Sequence, residues 1–180
     1  HRLADLALEV RADARVTVNL PDNGRCFVKV ADTQNRYGYA HAYRLRIAQA
    51  IPNFALRATP ASLNAKPGAS ARLTVHALRL DGFTGPIALR LKDAPEGFEL
   101  KGGPVAEGAE KIDVSIAVPY NYSGQPVPLL VEGTAEIEGK TVVVLAVPAE
   151  DMMQAFAYRH LVPADSLLID VRTPPEKPVP

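Results

Sequence analysis

The feature that most constrains this chain is a period of two. Arg15-Val16-Thr17-Val18-Asn19-Leu20 alternates polar and apolar residues, as do Arg72-Leu73-Thr74-Val75-His76, Ile87-Ala88-Leu89-Arg90-Leu91-Lys92 and Lys111-Ile112-Asp113-Val114-Ser115-Ile116. Such runs have one apolar and one wet face, as half-buried strands do. Turn signals break them at short intervals: Pro21-Asp22-Asn23-Gly24, Asn64-Ala65-Lys66-Pro67-Gly68 and Asp81-Gly82-Phe83-Thr84-Gly85-Pro86. Ile137-Glu138-Gly139-Lys140-Thr141 reads as a hairpin between two strand-like runs. Many short strands with regular turns predict an all-β fold, an antiparallel β-sandwich. Only Asp151 to Ala157 has any helical character, and a turn or an extended segment fits it as well. Ser166 to Val171 reads as one more strand.

A boundary is expected near Ala50 to Asn53. Before it lie strand candidates at Leu6–Val10, Arg15–Leu20, Arg25–Val30 and Tyr43–Ala48, with a loop from Asp32 to Tyr39. After it, Phe54 to Val147 holds about seven strand candidates, the number and size of an immunoglobulin-like sandwich. The Cys…Trp…Cys core of antibody domains is missing, since the chain has no tryptophan and its one cysteine is Cys26. The expected organisation is 1–50 as part of one β domain and 51–150 as a sandwich. Residues 151–172 are an extra strand or a segment that folds back, and 173–180 a Pro-rich linker. The first residue is His1 and the last eight hold four of the 16 prolines, so we expect a section of a longer protein.

Two stretches resemble known families. Leu20-Pro21-Asp22-Asn23-Gly24-Arg25-Cys26-Phe27-Val28-Lys29-Val30, followed by Ala42-Tyr43-Arg44-Leu45-Arg46-Ile47, resembles the C-terminal half of a bacterial pre-peptidase C-terminal (PPC) domain, a jelly-roll-like sandwich. Phe54-Ala55-Leu56-Arg57, Asn64 to Gly68, Asp81 to Ile87 and Ala94-Pro95-Glu96-Gly97-Phe98 together resemble a bacterial Ig-like domain. The resemblance implies a non-catalytic module of a larger secreted or surface protein, located extracellularly, in the periplasm or on the cell surface. It implies spacing, adhesion or interaction as the role, with other domains of the parent protein as partners. Neither family has catalytic residues to carry over.

Composition agrees with a folded, uncharged module. Lys plus Arg and Asp plus Glu each number 20, which argues against a polybasic nucleic-acid binder. The longest apolar run, Val142 to Val147, is far too short to span a membrane as a helix. His1, His41, His76 and His160 form no zinc-ligand spacing, so no metal or cofactor is expected, and His76 belongs on the solvent face of a strand. Asp22, Asp32 and Asp81 lie in loops without calcium-loop spacing. Tyr122-Ser123-Gly124 is a turn rather than a nucleophile elbow, and Asn121-Tyr122-Ser123 is formally a glycosylation sequon. Cys26, beside Phe27 and Val28, is expected to be a small buried hydrophobe. Glu136 with Glu138, and Glu107 with Glu110, are read as solvated acids. No enzyme activity is expected from these residues.

The sharper candidates are aromatic. Tyr37, Tyr39 and Tyr43 cluster around one loop, and Tyr120 and Tyr122 in another. Exposed rings at loop tips stack on sugars or anchor a protein partner. The plainer alternative, that they plug the sandwich ends or a seam between domains, is preferred. A polysaccharide-binding accessory module of a hydrolase is therefore the second functional reading. A homodimer through strand edges in 1–50 follows if those strands lack partners.

Overall fold

A computed structural model describes residues 18, 20, 23–31, 36–39, 41–122, 124–154 and 158–172, with the backbone alone at 154, 158 and 159. The chain divides into two units, His1–Ala50 and Ile51–Pro180. The described residues of the first unit belong to no strand ladder, and their side chains are exposed. Strands expected at Arg25–Val30 and Tyr43–Ala48 are thus not formed. Alternation is necessary for a half-buried strand but not sufficient. A neighbour must fill its N–H and C=O groups and a second layer must cover its apolar face. Cys26 is accordingly exposed, against the buried position expected for it. The candidates at 6–10 and most of 15–20, the loop core 32–35 and the tail 173–180 lie outside the described residues.

The second unit is all-β, and its described residues form no helix. Its strands are β1 (Asn53–Thr59), β2 (Ser62–Ala65), β3 (Ser70–Leu80), β4 (Ala88–Lys92) and β5 (Glu99–Lys101). They continue as β6 (Lys111–Ala117), β7 (Val127–Ile137), β8 (Lys140–Gln154), β9 (Tyr158–Pro163) and β10 (Leu167–Val171). The order of neighbours is β2-β10-β7-β8-β1-β3-β6-β5, with β4 beside β7 and β9 beside β8. Strand β8 ties the fold together. Its first part pairs with β7 up to Leu145, Ala146 to Pro148 pair with β1, and Ala149 to Gln154 pair with β9.

The pairing is mixed rather than purely antiparallel. β1 runs parallel to β8 and β2 parallel to β10, whereas the remaining ladders are antiparallel. The expected antiparallel sandwich is corrected on this point. A parallel pair joins strands distant in sequence, and no local turn announces it. Here β1 pairs with β8 and β3, while β2 turns away to β10.

Alternate residues of the longer strands feed one core. Phe54 and Leu56 of β1, Leu73 and Val75 of β3, Ile116 of β6, Leu129 and Val131 of β7, and Leu167 and Ile169 of β10 are all buried in it. Each such side chain stabilises the fold by roughly 1.5–3 kcal/mol through area removed from water. The β7 strand faces β1 across this core, because a Cβ placed on Gly133 would fall 2.3 Å from Leu56 Cδ1. Expected strands at 72–76, 87–92, 111–116 and 166–171 lie within or overlap β3, β4, β6 and β10.

The turns follow their residues. Glu138 (φ 51°) and Gly139 (φ 73°) form the two-residue turn between β7 and β8, with Ile137 opposite Lys140. Positive φ at both central positions gives a hairpin turn that matches strand twist. At the bend after β3 the Phe83 N–H donates to the Leu80 carbonyl at 3.1 Å. Beside it Arg79 staples two loops, donating to the carbonyl of Gly85 (2.6 Å) in one and to those of Ala106 (2.7 Å) and Ala109 (3.0 Å) in the other. Its guanidinium also lies 5.4 Å from the centre of the Phe83 ring.

The segment from Asp151, open between helix, turn and extended chain on sequence alone, is strand as far as Gln154. β9 supplies the backbone partners that settle this. The end of the chain does fold back as a strand, but within the second unit: β10 sits between β2 and β7.

Candidate functional site

One end of the sandwich is built from the loops before β3, before β5 and after β6. Lys66-Pro67-Gly68-Ala69 is a turn closed by the Ala69 N–H on the Lys66 carbonyl at 3.0 Å. Proline then glycine at its centre, with Gly68 at φ 74°, is the arrangement of a type II turn. The Gly68 N–H reaches the Pro119 carbonyl at 3.3 Å, and the Val118 N–H reaches the Ala69 carbonyl at 2.9 Å. These bonds tie the turn to the Pro119–Tyr122 bend.

Glycine at 68 has a second purpose. A Cβ there would lie 2.2 Å from Tyr120 Cε1, so the ring rests directly on bare backbone. The Tyr120 side is otherwise open, and the residue is 87% exposed. Tyr122 behaves differently. Its ring meets Phe98 edge-on at 5.2 Å and 81°, and its hydroxyl donates to the Gln125 carbonyl at 2.8 Å. Phe98 is itself buried. Tyr122 therefore plugs the end of the core, while Tyr120 presents a ring outward from the same bend. Tyr37, Tyr39 and Tyr43 are exposed and belong to the first unit. There the His41 N–H closes a turn on the Gly38 carbonyl at 3.0 Å.

A second surface was not foreseen in the sequence. Val142 and Val144 pack toward the core, whereas Val143, Leu145 and Val147 point outward along β8 and stay exposed. Leu130 of β7 and Leu168 of β10 are exposed as well. Beyond Pro148 the same strand continues as a ribbon with β9, carrying exposed Met152, Met153 and Val162. The signal was available: the apolar run Val142 to Val147 ignores the period of two, so it fills both faces of its strand.

Polar groups of unit two are mostly committed to structure. Glu132 is buried, and one of its oxygens accepts from Arg90 Nε (2.8 Å) and Nη2 (2.5 Å). Glu136 accepts from Thr141 Oγ1 at 2.5 Å. A shallow cleft of about 450 Å³ is lined by Pro86, Ala88, Pro104, Thr134, Ala135 and Glu136. Among the described residues, no three His, Cys, Asp or Glu side chains converge as metal ligands would. No described helix is long and apolar enough to cross a membrane.

Against known proteins, the chain matches no family model, no curated protein and no solved structure.

His76 lies on the outer face of β3, as its alternation with buried Val75 and Ala77 predicts, but it is partly covered there. It is half-buried, with Nε2 3.1 Å from Thr59 Oγ1. Burial first, then the charge of Lys111, hold its imidazole below the ordinary 6.5, with Asp151 and Asp113 pulling the other way. The unfolded chain thus takes up this proton at higher pH than the fold does. The neutral ring's contribution to stability is complete above about pH 6.5 and is lost as pH falls through the lower folded value. The melting temperature of the native chain is expected to fall more steeply below that pH than that of His76→Gln. Equal slopes in a pH series of thermal melts would contradict this.

Proposed function

We propose that this chain is a non-catalytic β-sandwich module, a spacer or adhesion element of a larger secreted bacterial protein of the extracellular space, periplasm or cell surface. The observation that carries the reading is the outward apolar stripe Val143, Leu145 and Val147 on β8. The outer face of a sandwich sheet is ordinarily polar, and contiguous exposed apolar side chains mark interaction surfaces. In this reading the partners are neighbouring domains or another protein. The likeness of 20–47 to a PPC domain and of 54–98 to an Ig-like domain agrees with such a role. Pairing with a second copy through residues 1–50 belongs to the same reading only if their extended backbone gains strand partners on association, and light scattering would register it as a doubled mass.

The second reading, a carbohydrate-binding accessory module, is favoured by one residue: Tyr120, an exposed ring on a backbone-supported turn. A glycan array with the intact chain separates the two. The spacer or adhesion reading expects no sugar retained above background and no turnover on glycosidic or peptide substrates. Retention that Tyr120→Ala removes would replace it with the second reading. Turnover by the isolated chain would overturn both.

A further inference from the structure

Strand β4 has a ladder on one side. Ala88 to Lys92 pair with Thr134 to Leu130 of β7, and no other described strand pairs with β4. The residue before it shows which way its backbone groups point. The Ile87 N–H donates to the Val105 carbonyl at 3.0 Å, and the Val105 N–H to the Ile87 carbonyl at 2.9 Å. With β7 on one flank, Val105 stands on the other, so Ile87 turns both groups away from β7. Backbone groups of an antiparallel strand alternate between its two flanks. The N–H and C=O groups of Leu89 and Leu91 therefore also point away from β7, out of the edge.

That flank is open to solvent. Leu89 and Leu91 pack against the core yet stay half-buried, whereas Val131, opposite Leu91, is 1% exposed. The bridge at Val105 goes no further, because by Gly102 the chain has crossed to β6. A Cβ on Gly102 would lie 2.7 Å from Val114 Cγ1. β5, just before it, pairs with β6 as well. On the outer face of the edge stand Ala88, Arg90 and Lys92. Arg90 gives Nε and Nη2 to Glu132, and its side chain is still 70% exposed. The other acid on this face, Glu136, accepts from Thr141. Asp93 lies past the end of the strand, in a left-handed turn at φ 49°. The edge therefore offers unpaired backbone flanked by two cations.

We propose that the free edge of β4 takes up an extended acidic segment of a partner protein as one more strand. Main-chain bonds to Leu89 and Leu91 supply affinity, and side chains at alternate positions supply choice of partner. Acidic residues two apart stand beside Arg90 and Lys92, since opposite charges on neighbouring strands favour pairing and like charges oppose it. Where the segment passes Ala88, the cleft lined by Pro86, Pro104 and Thr134 takes an apolar side chain. A second copy is a poorer occupant. Antiparallel pairing of two β4 strands through both leucines sets the Arg90 side chains of the two copies against each other. This edge is separate from the β8 stripe, so the inference stands apart from the spacer or adhesion reading.

The test titrates the intact, isotope-labelled chain with a capped heptapeptide, Val-Glu-Val-Glu-Val-Leu-Val, and follows backbone amides by NMR. Paired antiparallel to β4, its glutamates face Lys92 and Arg90 and its leucine faces the cleft. Its third and fifth residues then bond to Leu91 and Leu89. The amides of Leu89 and Leu91 are expected to shift, with a Kd below about 1 mM. N-methylation of the third and fifth peptide amides removes both donors and is expected to weaken binding about tenfold. Lysine in place of the two glutamates is expected to weaken it about tenfold, and Lys92→Glu in the protein about fivefold. No binding at about 1 mM, or shifts confined to other strands, would overturn the proposal. Equal binding of the N-methylated peptide would exclude strand addition. Equal binding of the lysine peptide, or of the original peptide by Lys92→Glu, would exclude an acidic partner. Either result overturns it. So would shifts of the same amides when the chain is concentrated without peptide, which would give the edge to a second copy.

Discussion

Gly133→Val is expected to cost about 3 kcal/mol of stability, the upper end of the usual range for overpacking a well-filled core. Gly133 sits in the middle of β7, where glycine is normally unfavourable because it adds chain entropy and packs nothing. Its place is explained by what faces it. A Cβ there would approach Leu56 Cδ1 to 2.3 Å, Ile87 Cγ2 to 3.0 Å and Phe54 Cε2 to 3.4 Å. Leu56, Ile87 and Phe54 are all buried, so none can swing into solvent. Valine adds two more methyl groups to a position that cannot hold one. The two layers must then separate, or Leu56 must leave its rotamer. Urea unfolding followed by circular dichroism measures the loss. An unchanged midpoint would show that β7 does not face β1 as described. Thr134→Val, one residue along and half-buried, is the control and should change stability by less than about 1 kcal/mol.

Ile169→Ala is expected to cost about 3 kcal/mol, within the range for removing a buried aliphatic side chain and leaving a cavity. Ile169 is fully buried, and its strand joins β2 on one side to β7 on the other. Leu167 and Val171 point into the same core. The adjacent Leu168 faces outward and is partly exposed, so Leu168→Ala should cost less than about 1 kcal/mol. The contrast between neighbours tests the register as well as the strand. If residues 166–171 were an appendage to the sandwich, both substitutions would be mild. Thermal melts of the two variants beside the native chain distinguish these outcomes.

Much of the second unit was legible locally. Leu73 and Val75 alternate with Arg72, Thr74 and His76, and the first two are buried. Pro67-Gly68 marks a turn because proline presets its φ and glycine takes φ 74° at no steric cost, and Gly139 marks the next because it takes φ 73° as freely. The short strands β2 and β5 were not legible. With four and three residues, they are too short to show a period. Of the candidate site, the tyrosine bend was visible, but the different duties of Tyr120 and Tyr122 were not. One residue is exposed and the other packed because Phe98, brought in by a separate loop, stands beside Tyr122 alone.

The first unit shows the limit of the same reasoning. Arg25 to Val30 has strand-like residues, yet its described backbone joins no ladder. By itself, then, the sequence determined that the second unit would be all-β, where most of its longer strands run and where its turns fall. These properties depend on side-chain alternation and on dihedral preferences within a few residues. Only the tertiary structure decided which strands pair. It set β1 parallel to β8 and placed β10 between β2 and β7. The reason is physical. A strand's hydrogen bonds are satisfied by segments far away in sequence, so its partner depends on how all the apolar faces close over one core.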